Sequence, residues 1–245
     1  MKNKLLGLLA LVVTGCTSNT STETKNPEKI EKQEEEHEIQ DFYFPLSDTM
    51  VPTTYTYEVV TASKDKSPEH YFEFLEFKRN DDGYYTFSRY EKSQNLVDSM
   101  VFDLDEHGAN VVHHFIKTQE NDFVKASVNP KLIFPWKREL NGRMTNNFSY
   151  MSVVNGKPTS TMVNVNNGFV GFLEVDNALS NENKCIKIVH QTEARFEDMS
   201  TKKVYNYSSK GEIIDLKGIG VYKSIEMNNH GDTTIKKLVD IKRDR

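Results

Sequence analysis

The sequence predicts an all-β protein: a large curved antiparallel sheet or incomplete β-barrel whose strands are joined as hairpins. Three observations carry this. Glycines follow turn-forming residues at short intervals, at Asp82-Gly83, His107-Gly108, Asn141-Gly142, Asn155-Gly156, Asn167-Gly168, Lys210-Gly211 and His230-Gly231. Such pairs supply the positive φ angles that tight hairpin turns need. The runs between them are rich in Val, Ile, Thr, Tyr and Phe, which suit a pleated, half-buried surface. No stretch after residue 40 repeats apolar residues at helical spacing, which excludes a βαβ plan.

The turns bound strands expected near residues 53–62, 69–79, 84–92, 96–105, 109–118, 121–128, 144–154, 158–166, 169–175, 184–196, 201–209, 219–227 and 233–242. Short connections make neighbours antiparallel. Met100, Phe102 and Leu104 alternate with Ser99, Asp103 and Asp105, the pattern of a strand buried on one face. Tyr71 to Phe77 puts aromatics on both faces, as for a strand covered on two sides. Ile219, Val221, Ile225 and Met227 share one parity with Lys223 among them. That lysine either snorkels past the sheet edge or stands as a cation inside a concave pocket, facing an anionic headgroup or a buried carboxylate. Phe44-Pro45-Leu46 before Tyr55-Thr-Tyr57 parallels Phe134-Pro135-Trp136 before Phe148-Ser-Tyr150, suggesting two halves of one β domain, residues 41–245, meeting near 129–142.

The N-terminal segment has a different character. Lys2 and Lys4 precede the apolar run Leu5 to Val13, which is too short for the roughly 20 residues of a permanent membrane helix. Val13-Thr14-Gly15-Cys16 resembles the bacterial lipobox, so residues 1–15 read as a cleaved signal peptide and Cys16 as the lipidation site. Several acyl chains on Cys16 would make a stable membrane anchor where one would be marginal. The resemblance implies a cell-envelope location, on the periplasmic face of the outer membrane if the cell has one, because Thr17 and not Asp follows the cysteine. Residues 16–40 read as a tether: polar to Lys25, then Asn26-Pro27-Glu28 as a helix start leading into an acidic segment with too few apolar residues to bury a face.

Composition narrows the function classes. The net charge is -5 over 245 residues, and residues 17–40 hold seven Glu against three Lys. The remaining domain is nearly balanced, which offers no case for nucleic acid. With Cys16 acylated, Cys185 is left without a disulfide partner, and in its strand-like run it reads as a small buried hydrophobe and not a nucleophile. No G-x-S-x-G, H-E-x-x-H, C-x-x-C or Walker sequence is present, and no cofactor motif is complete. Asp103-x-Asp105-x-His107-Gly108 resembles half a calcium loop but has His114 where the terminal Glu belongs, so it reads as a turn. His113 and His114 are adjacent on a strand and point to opposite faces, so they do not share a metal.

Tyr43-Phe-Pro-Leu46 with Tyr55-Thr-Tyr57, Phe134-Pro-Trp136, and Gly218-Ile-Gly220-Val-Tyr-Lys223 followed by Leu238-Val-Asp240 together resemble bacterial envelope lipoproteins with a TapB-like domain. That group is similar in fold to LolA-like proteins. The resemblance implies a curved sheet around an apolar cavity able to hold acyl chains, without catalytic residues. The function expected is therefore non-enzymatic: a lipid-anchored envelope protein binding an apolar or lipid-like ligand, or an envelope protein partner. A purely structural outer-membrane lipoprotein and an envelope hydrolase are the alternatives.

Overall fold

A computed structural model describes residues 35–45, 51–64, 66–91, 95–118 and 120–243. The leader, Cys16, the expected helix start at Asn26-Pro27 and Leu46 all lie outside the described residues. The N-terminal half forms β1 (Glu36–Glu38), β2 (Thr53–Ser63), β3 (Lys66–Arg79), β4 (Tyr85–Glu91), β5 (Asn95–Leu104), β6 (Gly108–Lys117), β7 (Phe123–Asn129), β8 (Leu132–Pro135) and β9 (Lys137–Glu139). The C-terminal half forms β10 (Arg143–Val154), β11 (Lys157–Glu174), β12 (Lys184–Asp198), β13 (Val204–Leu216), β14 (Gly220–Asn228) and β15 (Thr233–Arg243).

The fold is all-β, a closed antiparallel barrel of twelve strands. β2 to β7 and β10 to β15 pair in sequence, β7 against β10, and the ring is sealed by β15 on β2 and by the β5–β6 pairing. The expected curved sheet is thus present, and it is complete. β8 lies beside the first residues of β6, while β7 takes that strand's last residues. One sheet runs across the point near 129–142 where the repeated Phe-Pro motif suggested that two halves meet, with β7 paired to β10.

Barrel diameter grows with strand number, and eight strands already enclose about as much as side chains can fill. Twelve leave an unfilled interior unless something enters it. One end is plugged by the chain itself. Residues 36–38 pair with β9, Ile39 is 0% exposed and its N–H donates to the Trp136 carbonyl at 2.8 Å, and a 3-10 turn at Gln40–Phe42 delivers Phe42, Tyr43 and Phe44 into the core. The domain therefore begins before Asp41. The acidic composition of residues 28–38 conceals this, since the burial of Ile39 and a strand pairing do not make a stripe.

Two of the seven expected turn glycines sit inside strands. Asn167-Gly168 lies within β11, which runs unbroken through both strands expected there, with a bulge at Phe169/Gly171. Lys210-Gly211 lies within β13, and the real turn comes at residues 217–219. By contrast, Asn155 (φ 52°) and Gly156 (φ 72°) form the expected tight hairpin turn. Phe72, expected to be covered, is 51% exposed on the outer face.

The outer wall is charged at mid-strand, with Lys187, Glu193 and Arg195 on β12, Glu212 on β13 and Lys237 on β15. A lipid-spanning barrel shows the reverse pattern, apolar outside and polar within, because Lys or Arg at the bilayer midplane costs about 2–4 kcal/mol. Here phenyl rings and aliphatic side chains gather inside.

Candidate functional site: the barrel interior

A cavity of about 1180 Å³ occupies the barrel, larger than the roughly 300–1,000 Å³ of ordinary small-molecule sites. It runs from the plug to a rim where Lys66, Glu69, Asn206 and His230 are exposed. On β3, Phe77 at the plug and Glu69 at the rim are roughly 26 Å apart at about 3.3 Å per residue.

The floor and lower wall are aromatic and aliphatic. Phe44 packs on Tyr55, Phe77 and Phe87 with ring centroids 5.3, 5.4 and 5.0 Å away, and Tyr43 meets Phe134 at 5.0 Å. Phe102, Phe148, Ile188 and Ile213 belong to the same apolar lining. These rings alternate inward because each strand puts every second side chain on the concave face.

Higher on one wall is an ionic belt. Glu73, 5% exposed, accepts from Lys236 Nζ through Oε2 and stands 3.6 Å from Arg89 Nη1 through Oε1. Arg89 Nε donates to Asp98 Oδ2 at 2.7 Å and Nη1 to Glu91 Oε1 at 3.2 Å. Burial acts to raise the Glu73 carboxyl, but Lys236 and Arg89 together outweigh it and hold the group below its usual range. Burial likewise opposes the Arg89 charge, and its carboxylate partners more than restore it. Lys236 also lies 4.9 Å from the Tyr57 ring centroid. With Glu73, Glu91 and Asp98 against Lys236 and Arg89, the belt has one carboxylate in excess. It therefore leaves no unspent positive charge.

The floor carries a second polar group. Arg138, 7% exposed, donates from Nη2 to the carbonyls of Gly142 (3.0 Å) and Asn167 (2.6 Å), and it reaches the Tyr43 hydroxyl. Burial lowers its pKa, with Tyr43 opposing. Asp215 lines the same region with no hydrogen-bond partner for Oδ1, and burial pushes its carboxyl up to about 8. In the unfolded chain that group titrates near 3.9. Below about pH 4 both states hold the proton; from there to about pH 8 folding takes one up, so stability falls as pH rises, and above 8 the loss is complete. Asp215→Asn should therefore stabilise the protein relative to the parent by more than about 1 kcal/mol at pH 8, with the gain fading toward pH 4. Urea midpoints at pH 4, 6 and 8 measure this, and a difference independent of pH contradicts it.

Lys223, expected on the concave face, stands outside. β14 bulges so that Ile214 pairs with Lys223 but Asp215 pairs with Val221. The extra residue flips parity: Val221, Ser224, Glu226 and Asn228 line the cavity, and Lys223, Ile225 and Met227 face outward. Lys236, which shares parity with buried Leu238, is instead a lysine that faces the cavity. A charged residue at an inward parity is the signal that could have found Glu73, Lys236 and Asp215. No pattern singles out Arg138.

The other sequence candidates fall in structural roles. Cys185 is fully buried and its thiol is pushed up to about 11 by burial, with Asp215 adding to it. Asp105 Oδ1 accepts from the His107 and Gly108 backbone and Oδ2 from Asn110, closing the turn read as half a calcium loop. His114 is buried against Phe148 on the inner face, and its pKa is lowered by burial. Among the described residues no group of three or more His, Cys, Asp or Glu side chains could hold a metal ion.

No family model matches the chain, and no curated protein matches it. Solved structures of similar architecture include a Bacteroides fragilis protein described as exported and of YmcC-like fold, at 13% identity, covering 83% of this chain and 100% of that one with a TM-score of 0.45. A Parabacteroides distasonis protein described as a lipoprotein is 8% identical over 82% of this chain and 98% of that one, with a TM-score of 0.44. A LolA superfamily protein of Nitrosomonas europaea is 11% identical over 84% and 90%, with a TM-score of 0.29.

Proposed function

We propose that this protein is a lipid-anchored component of the cell envelope whose barrel takes up an apolar or lipid-like ligand, without catalysis. The observation that carries the reading is the cavity of about 1180 Å³, walled by phenyl rings below and open at a polar rim. An interior of that size and composition either fills with poorly satisfied water or takes an apolar guest, and the guest is favoured by roughly 25 cal/mol per Å² of apolar surface covered. The anchor is Cys16, and the acidic segment before Glu35 sets the barrel off from the membrane surface. Localisation to the envelope follows from the same leader.

Two measurements test this. The full chain carrying Cys16→Ser, stripped of lipid, should bind the fluorescent apolar probe N-phenyl-1-naphthylamine saturably at one site per chain. Absence of saturable uptake removes the cavity reading. In cells, the parent should sediment with membranes and Cys16→Ser should not; equal partitioning removes the anchor.

A further inference from the structure

We propose that the cavity takes a long-chain carboxylate headgroup-first, with the carboxylate against Arg138 at the floor and the alkyl chain rising between the phenyl rings toward the rim. This rests on the interior being the binding site, and it names the ligand and its direction.

Among the described residues, three cations lie within the cavity wall below the rim: Lys236, Arg89 and Arg138. The first two are saturated by Glu73, Asp98 and Glu91. Arg138 has no carboxylate within ion-pair distance among the described residues. One of its terminal nitrogens is spent on two backbone carbonyls, and the remainder of the guanidinium adjoins Tyr43 and the cavity. A buried guanidinium without a counter-charge is costly, and a planar carboxylate is the group its fork geometry fits.

Asp215 is the second observation. It faces the same floor with an orphaned oxygen, and Tyr43 feels both groups. Held protonated by burial, it can donate to a bound carboxylate instead of repelling it. Above the floor, Phe44, Phe102, Phe134 and Ile213 offer an alkyl chain apolar surface. A phospholipid or protein-linked acyl chain has its polar head on a bulky group and would have to enter tail-first, with the head at the rim. The direction of entry thus separates a free carboxylate from a headgroup-bearing lipid.

Trp136 is the chain's one tryptophan and sits at the floor, 6.4 Å from the Tyr43 ring. The full chain carrying Cys16→Ser, freed of lipid, is titrated with stearic acid bearing a nitroxide at carbon 5 or at carbon 16, and Trp136 emission is followed. Headgroup-first binding requires the carbon 5 label to quench more strongly. Stronger quenching by the carbon 16 label overturns the proposal while leaving the cavity reading intact. Stearic acid should also bind at least tenfold more tightly than its methyl ester, and Arg138→Met should erase that preference while the ester binds as before. Equal affinity of acid and ester for the parent overturns the role of Arg138, even if the Met variant fails to fold. If neither acid nor ester binds, the proposed function falls with it.

Discussion

Phe44→Ala should destabilise the barrel by about 3–5 kcal/mol, the range for emptying a buried phenylalanine site. Phe44 is the innermost ring of the plug, touching Tyr55, Phe77 and Phe87, and it lies against Gly220, where an added Cβ would be only 3.1 Å from the ring. Its neighbours belong to strands locked on both sides, so they cannot collapse into the space. A lowered urea midpoint at unchanged slope is the expected result. A loss below about 1 kcal/mol would mean that the segment before β2 is not seated in the barrel.

Gly211→Ala should cost about 3 kcal/mol or more, at or beyond the upper end for overpacking a core. The added methyl would collide with the Ile225 carbonyl oxygen, lie 2.8 Å from the Glu226 Cα and press on His190 Nε2. Two of those atoms are backbone of β14, held in register with β13, so relief requires breaking the ladder. Gly83 is the control for space, since a methyl added there would meet nothing within 4 Å. Because its φ is +89°, its substitution tests turn strain and not crowding. Near-parental stability of Gly211→Ala would show that β13 and β14 do not approach as closely as described.

These two positions mark where sequence reading works and where it stops. Composition and turn residues give β2 to β7, β10, β12, β14 and β15 almost to their ends, because hairpin geometry is local, whereas β11 is split and β13 cut short by glycines inside them, and the short β1, β8 and β9 go unseen. Gly211 looks like a turn for the same reason, yet its cause is a close approach between strands, which no local pattern reveals. A single bulge is enough to put Lys223 on the wrong face: alternation is reliable only while every residue is paired, and one unpaired residue reverses it. Ile39 stays hidden because one apolar side chain in an acidic run has no periodicity. Arg138 is out of reach altogether. Its proposed role rests on the absence of a counter-charge among the described residues, and that is a property of what the fold brings near it.

The seam between β2 and β15 has a consequence in time. Around the ring, neighbours in the sheet follow one another along the chain, with only the short β8 and β9 between β7 and β10, except where Thr53 meets Arg243 and Ala62 meets Thr233. For a chain emerging from its N-terminus, on the ribosome or across a membrane, every hairpin can zip as it arrives, but the ring stays open until β15 appears. Until then β2 and the newest strand present bare backbone donors and acceptors, templates for pairing with another copy. The final strand acts as a latch, and a chain cut short before Thr233 is left with two adhesive edges and its aromatic lining uncovered.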